Sequence, residues 1–509
     1  MAQTIDETFK KIGEFRQYQW FILVLLGNFL LTSGAFTGMV VAFITAEPDW
    51  KCVDGYMNNT VCRFNTSITL TSDDYNARCK MPRDAWTFVD DFTSIVTEYD
   101  LVCDKSILLS IAQSTTWVTM LVGLLIGGYL SDKYGRRRIV GSGYAINAIV
   151  SLVIVFPKSY IAFIICRLVF GLGSGLENSS AFSLLTEFTT EKYHSRMGIG
   201  YFVFWTAGLM ILPLIGFLAR EWRTFALITA LCAIPNVLLA WLVPESPRWL
   251  LLNNRQEEAR NQLLKIAKMN KKTLPDDDIE KPVVSEQQAS FKQLFSSWKV
   301  TKTTLISWNL WFTHALVYYG VSIGSVDLGG NRYLNFFLIS LVGLPSNFAL
   351  MWATHRFGRK ASILSGLVIT MVASAISVSI PANHNPANVG GRITAAIIAK
   401  MCIGFSFDGC YLWTSELYPT VIRATGMSTS SSAARIGSFA ASYIIWLIRI
   451  HVALPYGIMG AICLQAAIFG LFLPETKGAA TLETLDDMKT EPEMALHIFP
   501  KDNKNSSKI

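Results

Sequence analysis

The sequence predicts an all-α membrane protein, with twelve transmembrane helices in two pseudo-symmetric six-helix bundles and a large extracellular loop after the first helix. Three observations lead there. The 509-residue chain is 51% hydrophobic and 16% charged, too apolar in long runs for a common soluble class. Its basic residues gather in short turns between apolar runs of about twenty residues, the length that crosses a bilayer. The clearest such turn is GYLSDKYGRRR at 128–138, echoed by MWATHRFGRK at 351–360. Finally, motifs recur in the same order at nearly one spacing: Gly135 and Gly358 stand 223 residues apart, Glu187 and Glu416 229, Pro244 and Pro474 230. Such an internal repeat predicts two equivalent bundles with a substrate site between them near the bilayer midplane.

The elements follow in order. The first 17 residues are polar and run into a long apolar span without an A-x-A-like cleavage site, so that span, 19–43, stays as the first helix. Lys10, Lys11 and Arg16 before it predict a cytoplasmic N-terminus. The loop 44–105 therefore lies outside. It carries eleven acids against six bases, the cysteines Cys52, Cys62, Cys79 and Cys103, and glycosylation acceptors at Asn58 and Asn65. Cysteines and acceptor asparagines together fit an oxidising, glycosylating compartment, with three pairings open if all four cysteines are bridged. Zinc is disfavoured, because the loop has neither histidine nor C-x-x-C spacing.

A second span precedes the basic turn, and further spans are predicted at 138–157, 160–189, 198–218 and 222–243, completing an N-terminal bundle over 1–243. Residues 244–302 are charged and lysine-rich, with an amphipathic helix near 255–268, and read as a cytoplasmic linker. Six more spans, at 303–324, 333–354, 361–381, 393–416, 425–448 and 452–473, form the C-terminal bundle over 303–474. A polar cytoplasmic tail, 475–509, closes the chain.

The net charge of +7 reflects basic residues at helix ends, where bilayer orientation explains them, and does not indicate nucleic acid. No enzyme signature emerges. The GLGSG at 171–175 lies inside a membrane helix, where glycines serve helix packing, not phosphate binding. His194, His314, His355 and His384 are scattered without a nucleophile or metal partner. No cofactor or metal is expected.

Gly128, Asp132, Gly135, Arg136 and Arg137 fit the G-x-x-x-D-[RK]-x-G-R-[RK] loop of the major facilitator superfamily. The first long loop, DDFTSIVTEYDLVC at 90–103, PESPRWL at 244–250, WFTHALVYYG at 311–320, SELYPTVIRATGM at 415–427 and ARIGS at 434–438 together resemble the organic cation, organic anion and carnitine transporters, solute carrier family 22 of that superfamily. The resemblance runs from about residue 10 to TLETLDD near 487. Sugar porters share the GRR turns and the PES and PETKG segments, whereas the cysteine-bearing loop and ARIGS decide against sugar. The family implies alternating access, in which the two bundles rock around a central cavity and move small organic ions; the protein is expected at a plasma membrane, with sodium or a proton as the candidate coupling ions. Gating is expected of the basic-turn residues Gly128, Asp132, Gly135, Arg136 and Arg137, together with Glu187, Glu416 and Arg423.

An ionisable side chain at a membrane helix centre costs about 2.5–3.5 kcal/mol, so each should face the cavity or a partner. Arg435 occupies the position where the family's anion and carnitine carriers have arginine and its cation carriers aspartate. Its fixed planar fork suits a carboxylate. Asp408 either faces the cationic end of a substrate or simply satisfies Arg435, and the same choice arises for Glu177. Glu187 and Arg167 flank Glu177 on one helix face and are expected to partner the basic turns. Phe407 and Tyr411 share a face at i, i+4 next to Asp408, Trp311 lies two turns before Tyr318 and Tyr319, and the family places the two tyrosines at the cavity. Asn347 stands where some anion carriers have lysine, and Gly343 where cation carriers often have glutamate. The expected substrate is a carnitine-like zwitterion or an organic anion. The alternatives are an organic cation, a sugar-porter-like facilitator, and a receptor that binds without transporting.

Overall fold

The computed structural model describes residues 4–53, 62, 67–70, 72, 74–89, 91–275, 279, 291–381, 385–478, 482, 484 and 485. Asn58 and Asn65 lie outside the described residues. The long helices are α1 (Gln17–Ile44), α2 (Ile107–Tyr134), α3 (Arg136–Val153), α4 (Tyr160–Glu187), α5 (Glu191–Leu218), α6 (Trp222–Leu239), α7 (Trp298–Gly324), α8 (Arg332–Phe357), α9 (Arg359–Ser379), α10 (Pro386–Leu417), α11 (Thr420–Trp446) and α12 (Ala453–Gly470). Among the described residues, nine spans are long and apolar enough to cross a membrane by length and composition alone. The exceptions, α3, α7 and α11, carry the RRR, WKVTKTT and STSSSAAR segments. Polar residues of this kind are accommodated where a helix faces the inside of a bundle.

Three local differences from the sequence expectation have physical causes. The basic stretch 128–138 is almost wholly helical: α2 runs to Tyr134, α3 resumes at Arg136, and Gly135 alone turns the chain, at φ +102°. Only glycine adopts that conformation without a steric cost. The eighth span is interrupted at Val342, just before Gly343-Leu344-Pro345, where proline removes a helical hydrogen bond. In α1, residues Leu30–Gly38 form a π-helical stretch, in which the Thr37 hydroxyl donates to the Ser33 carbonyl (2.6 Å).

The chain divides into two compact units. The first comprises Met1–Ala46, Asp90–Leu101 and Thr115–Ser285. Here α2 and α4 approach closely at glycine: a Cβ on Gly171 would strike the Thr116 carbonyl, and one on Gly175 the Met120 carbonyl. The GLGSG run thus serves helix packing. A buried core joins Phe9 and Ile12 of the N-terminal helix Ile5–Ile12 to Ile22 and Leu26 of α1, and to Leu263 and Ile266 of the linker helix Gln256–Met269. Asn270 fastens it, accepting from the Tyr18 amide (3.0 Å) and donating to the Ile12 carbonyl (3.1 Å).

The second unit comprises Glu47–Val89, Val102–Ser114 and Glu286–Ile509. Sequence order places the whole loop 44–105 with the N-terminal bundle, but most of it groups with this unit. The reason is electrostatic. Glu47, 3% exposed, bonds Arg78 of the loop and Arg449 after α11, the latter at 2.8 Å. Two disulfides, Cys52–Cys62 and Cys79–Cys103, close the loop and resolve the pairing left open by sequence. Trp50–Cys52 pairs antiparallel with Trp86–Phe88.

Candidate functional site

In the second unit, five of the aromatic candidates form one cluster on α7 and α10. Trp311 and Tyr411 have ring centroids 4.1 Å apart, Phe407 and Tyr411 5.6 Å, Tyr318 and Phe407 6.1 Å, and Tyr318 and Tyr319 5.3 Å. Trp311 is fully buried and anchored by its indole N–H on the Thr414 hydroxyl (2.9 Å), so it backs the cluster. Tyr318, Phe407 and Tyr411 are half-buried and form its accessible part.

Arg435 projects from α11 toward the same cluster. It lies within electrostatic reach of Tyr319 and Tyr411. Its Nε is buried without a hydrogen-bond partner among the described residues. Asp408 is exposed on α10 and makes no ion pair with Arg435 among the described residues. Asp408 instead experiences Lys400, eight residues earlier on the same helix. The Lys400 ammonium is buried, donating to the Ser322 hydroxyl (2.5 Å) and the Tyr318 carbonyl (3.1 Å) and lying over the Tyr318 ring. Lys400 is a residue the sequence reading missed. A lysine within the apolar run AAIIAKMCIGF was the available signal. Asn347 is half-buried on α8.

In the first unit, Glu177 is 5% exposed, and one of its oxygens accepts from the Ser33 hydroxyl (2.9 Å) and the Asn147 amide (3.0 Å). Neutral donors on α1 and α3 therefore hold this carboxylate of α4.

The basic turns are built alike in each unit. In the first, Arg136 pairs with Asp132 (3.0 Å) and Glu187 (3.1 Å), while Glu245 accepts from the Arg136 and Arg137 amides (3.0 and 3.2 Å). A carboxylate thereby caps the start of α3, where free N–H groups and the helix dipole favour negative charge. Arg137 donates to the Trp241 carbonyl (2.9 Å). Burial pushes the Glu245 carboxyl above its ordinary value, against the pull of these donors. A Cβ at Gly135 would collide with that carboxylate, whereas at Gly128 nothing among the described residues lies within 4 Å. Close approach is therefore a property of Gly135 and not of Gly128. In the second unit, Arg359 pairs with Glu416 (2.8 Å), and Glu475 accepts from the Arg359 and Lys360 amides (2.9 and 3.0 Å) next to Gly358, at φ +96°. The repeat seen as sequence spacing is thus a repeat of hydrogen-bond geometry. Glu245 and Glu475 went unnoticed as site residues because their role depends on reaching another segment. Arg423 joins neither carboxylate and donates to the Tyr418 carbonyl (3.2 Å). Glu187 meets the basic turn as expected, but Arg167 does not: its ring contact is with Phe170, three residues on.

The family model described as "Sugar (and other) transporter" matches residues 55–488. Solute carrier family 22 member 7 of Bos taurus is 33% identical over an alignment covering 78% of this chain and 73% of the relative. Organic cation/carnitine transporter 2 of Homo sapiens is 28% identical, covering 95% and 93%. Among solved structures, the inward-open xylose transporter XylE from E. coli superposes with a TM-score of 0.63 at 17% identity, covering 93% of this chain and 99% of XylE, which shows a shared fold. With twelve helices, paired basic turns and these relatives, the chain belongs to solute carrier family 22, within the sugar (and other) transporter family.

Proposed function

We propose that the protein moves small organic anions across the plasma membrane by alternating access, with Arg435 gripping the substrate's carboxylate. One observation carries this reading: a half-buried guanidinium on α11 beside an aromatic cluster, with a buried Nε that has no hydrogen-bond partner among the described residues. A planar cation that keeps its proton binds a carboxylate through paired, charge-assisted hydrogen bonds. The faces of Tyr318, Phe407 and Tyr411 then take the flat or apolar body of the substrate, with Trp311 behind them and the Asn347 amide as a neutral polar contact. Lys400 offsets Asp408, so the ionisable groups of this unit's site carry net positive charge. The bonds of Glu177 to Ser33 and Asn147 tie α1, α3 and α4 together, and the proposal leaves it out of substrate contact.

A zwitterion is the second reading, favoured by a specific feature. Asp408 is exposed, while the Lys400 ammonium is already bonded to Ser322 and the Tyr318 carbonyl. The carboxylate therefore keeps capacity for a quaternary ammonium, which the tyrosine faces also attract. The printed name of the human relative joins organic cations with carnitine. In this proposal both termini are cytoplasmic, and the two turn clusters latch the inner ends of their bundles in one state and release them in the other.

Uptake into expressing cells of a carboxylate anion, a carnitine-like zwitterion and a quaternary ammonium ion, each with and without a sodium or proton gradient, tests the proposal and identifies the coupling ion. Arg435→Ala should reduce carboxylate uptake about 10- to 100-fold, the loss expected for hydrogen bonds to a charged group. Arg435→Lys should keep a minor part, because a point charge replaces a fork. Asp408→Asn should weaken zwitterions and cations more than anions. Equal losses for all three substrates in both variants would show that these residues only hold the bundle together.

A further inference from the structure

The first unit contains a second arginine of a different kind. Arg167 of α4 is 2% exposed, and its Nε is enclosed without an acceptor. Among the described residues it has neither an ion pair nor a hydrogen bond, only the Phe170 ring, 5.5 Å from the guanidinium carbon. The guanidinium lines a cavity of about 20 Å³ within this bundle, whose wall also includes Thr37 and Val40 of α1, Ser151 of α3 and Thr229 of α6. None of the lining residues is acidic. The hydroxyls of Thr37 and Thr229 already donate to their own helices, at the Ser33 carbonyl (2.6 Å) and the Ala226 carbonyl (2.9 Å).

A guanidinium does not shed its proton at physiological pH, so burial cannot neutralise it. Neutral surroundings leave such a charge uncompensated, and a water molecule in the cavity supplies a dipole but no counter-charge. Volume limits what can. A cavity of roughly 10–15 Å³ holds one water, so about 20 Å³ is the scale of a single small ion. We propose that the cavity beside Arg167 is a binding site for a small monovalent anion, with chloride as the physiological occupant, bound as a fixed part of the N-terminal bundle. The site is independent of substrate recognition at Arg435, which lies in the other unit.

The test uses the purified full-length chain in detergent, with its melting temperature measured in chloride, bromide, gluconate and sulfate at constant ionic strength. A ligand that binds only the folded state raises stability with its concentration. Chloride and bromide should therefore raise Tm in a saturable way, while gluconate and sulfate should not. Arg167→Gln should abolish the chloride response. Thr229→Asp, which sets a carboxylate in the cavity wall, should abolish it too, while bringing Tm in gluconate up to the wild-type value in chloride. Arg435→Ala should keep the response. Should Arg167→Gln fail to fold, bromide anomalous scattering from the wild-type protein decides the matter, since a peak against the Arg167 guanidinium is required. Equal wild-type Tm in chloride and gluconate overturns the proposal, as does a response that survives Arg167→Gln or vanishes in Arg435→Ala, or a bromide map without that peak. Because the readout is stability, its failure leaves the uptake test of Arg435 unaffected.

Discussion

Glu47 shows how much one buried charge decides. It sits between Arg78 and Arg449, with Arg78 stacked on the Tyr75 ring at 4.2 Å. Burial alone would raise its carboxyl, but the charges of Arg449 and Arg78 hold it below the ordinary carboxylate range. Removing one partner leaves the other charges buried and uncompensated, so Arg449→Ala should destabilise the second unit by about 3–5 kcal/mol, read as a fall in Tm. Asp327, in the turn after α7, behaves oppositely. Burial pushes its carboxyl up to about 6, with Arg332 and Arg449 opposing and Glu47 and Asp49 adding to the rise. Between the ordinary aspartate value and about 6, the folded state holds a proton that the unfolded state has lost. Asp327 therefore adds stability as pH falls through that window, and this stability disappears as pH rises through about 6. The Glu47 contribution is present above the unfolded carboxylate value and is lost only at lower pH. Asp327→Asn should thus raise Tm at pH 7.5 and flatten its slope between pH 6.5 and 4.5. An unchanged slope would show that Asp327 does not titrate there.

At the scale of elements, the helix ends carry the information. Apolar length located the helices because a bilayer-spanning helix satisfies its own backbone, and only side-chain polarity need match the surroundings. Where the chain turns, a single glycine at positive φ suffices, and the exposed amides of the next helix are capped by a glutamate arriving from a different segment. That capping was legible only as a repeated spacing, since the partner of Arg136 N–H stands 109 residues away at Glu245. Asp132 is 76% exposed in its pair with Arg136, and exposed ion pairs contribute about 0–1 kcal/mol. Asp132→Ala should accordingly leave Tm and surface delivery unchanged while slowing uptake several-fold. Full uptake in this variant would make the turn a topological signal rather than a latch.

For the whole molecule, topology rests on the loop after α1. Its two disulfides fit an oxidising compartment, and on that topology Asn58 or Asn65 should carry glycan. Enzymatic deglycosylation should shift the electrophoretic mobility of protein from animal cells, and the double change Asn58→Gln and Asn65→Gln should remove that shift. An unshifted wild-type band would count against a lumenal loop. Twelve helices, two halves and the family could all be read from the chain, because hydropathy and motif spacing are properties of local sequence. So could Arg435 and its aromatic neighbours as candidates, since charge within an apolar run is costly wherever it lies. Pairing was not legible. That Lys400 acts on Asp408, which cysteines join, that Glu47 draws the loop into the second unit, and that Arg167 has no counter-charge among the described residues were all decided by tertiary structure. Each depends on distances between residues remote in sequence, and electrostatic energy in a low-dielectric interior is set by those distances.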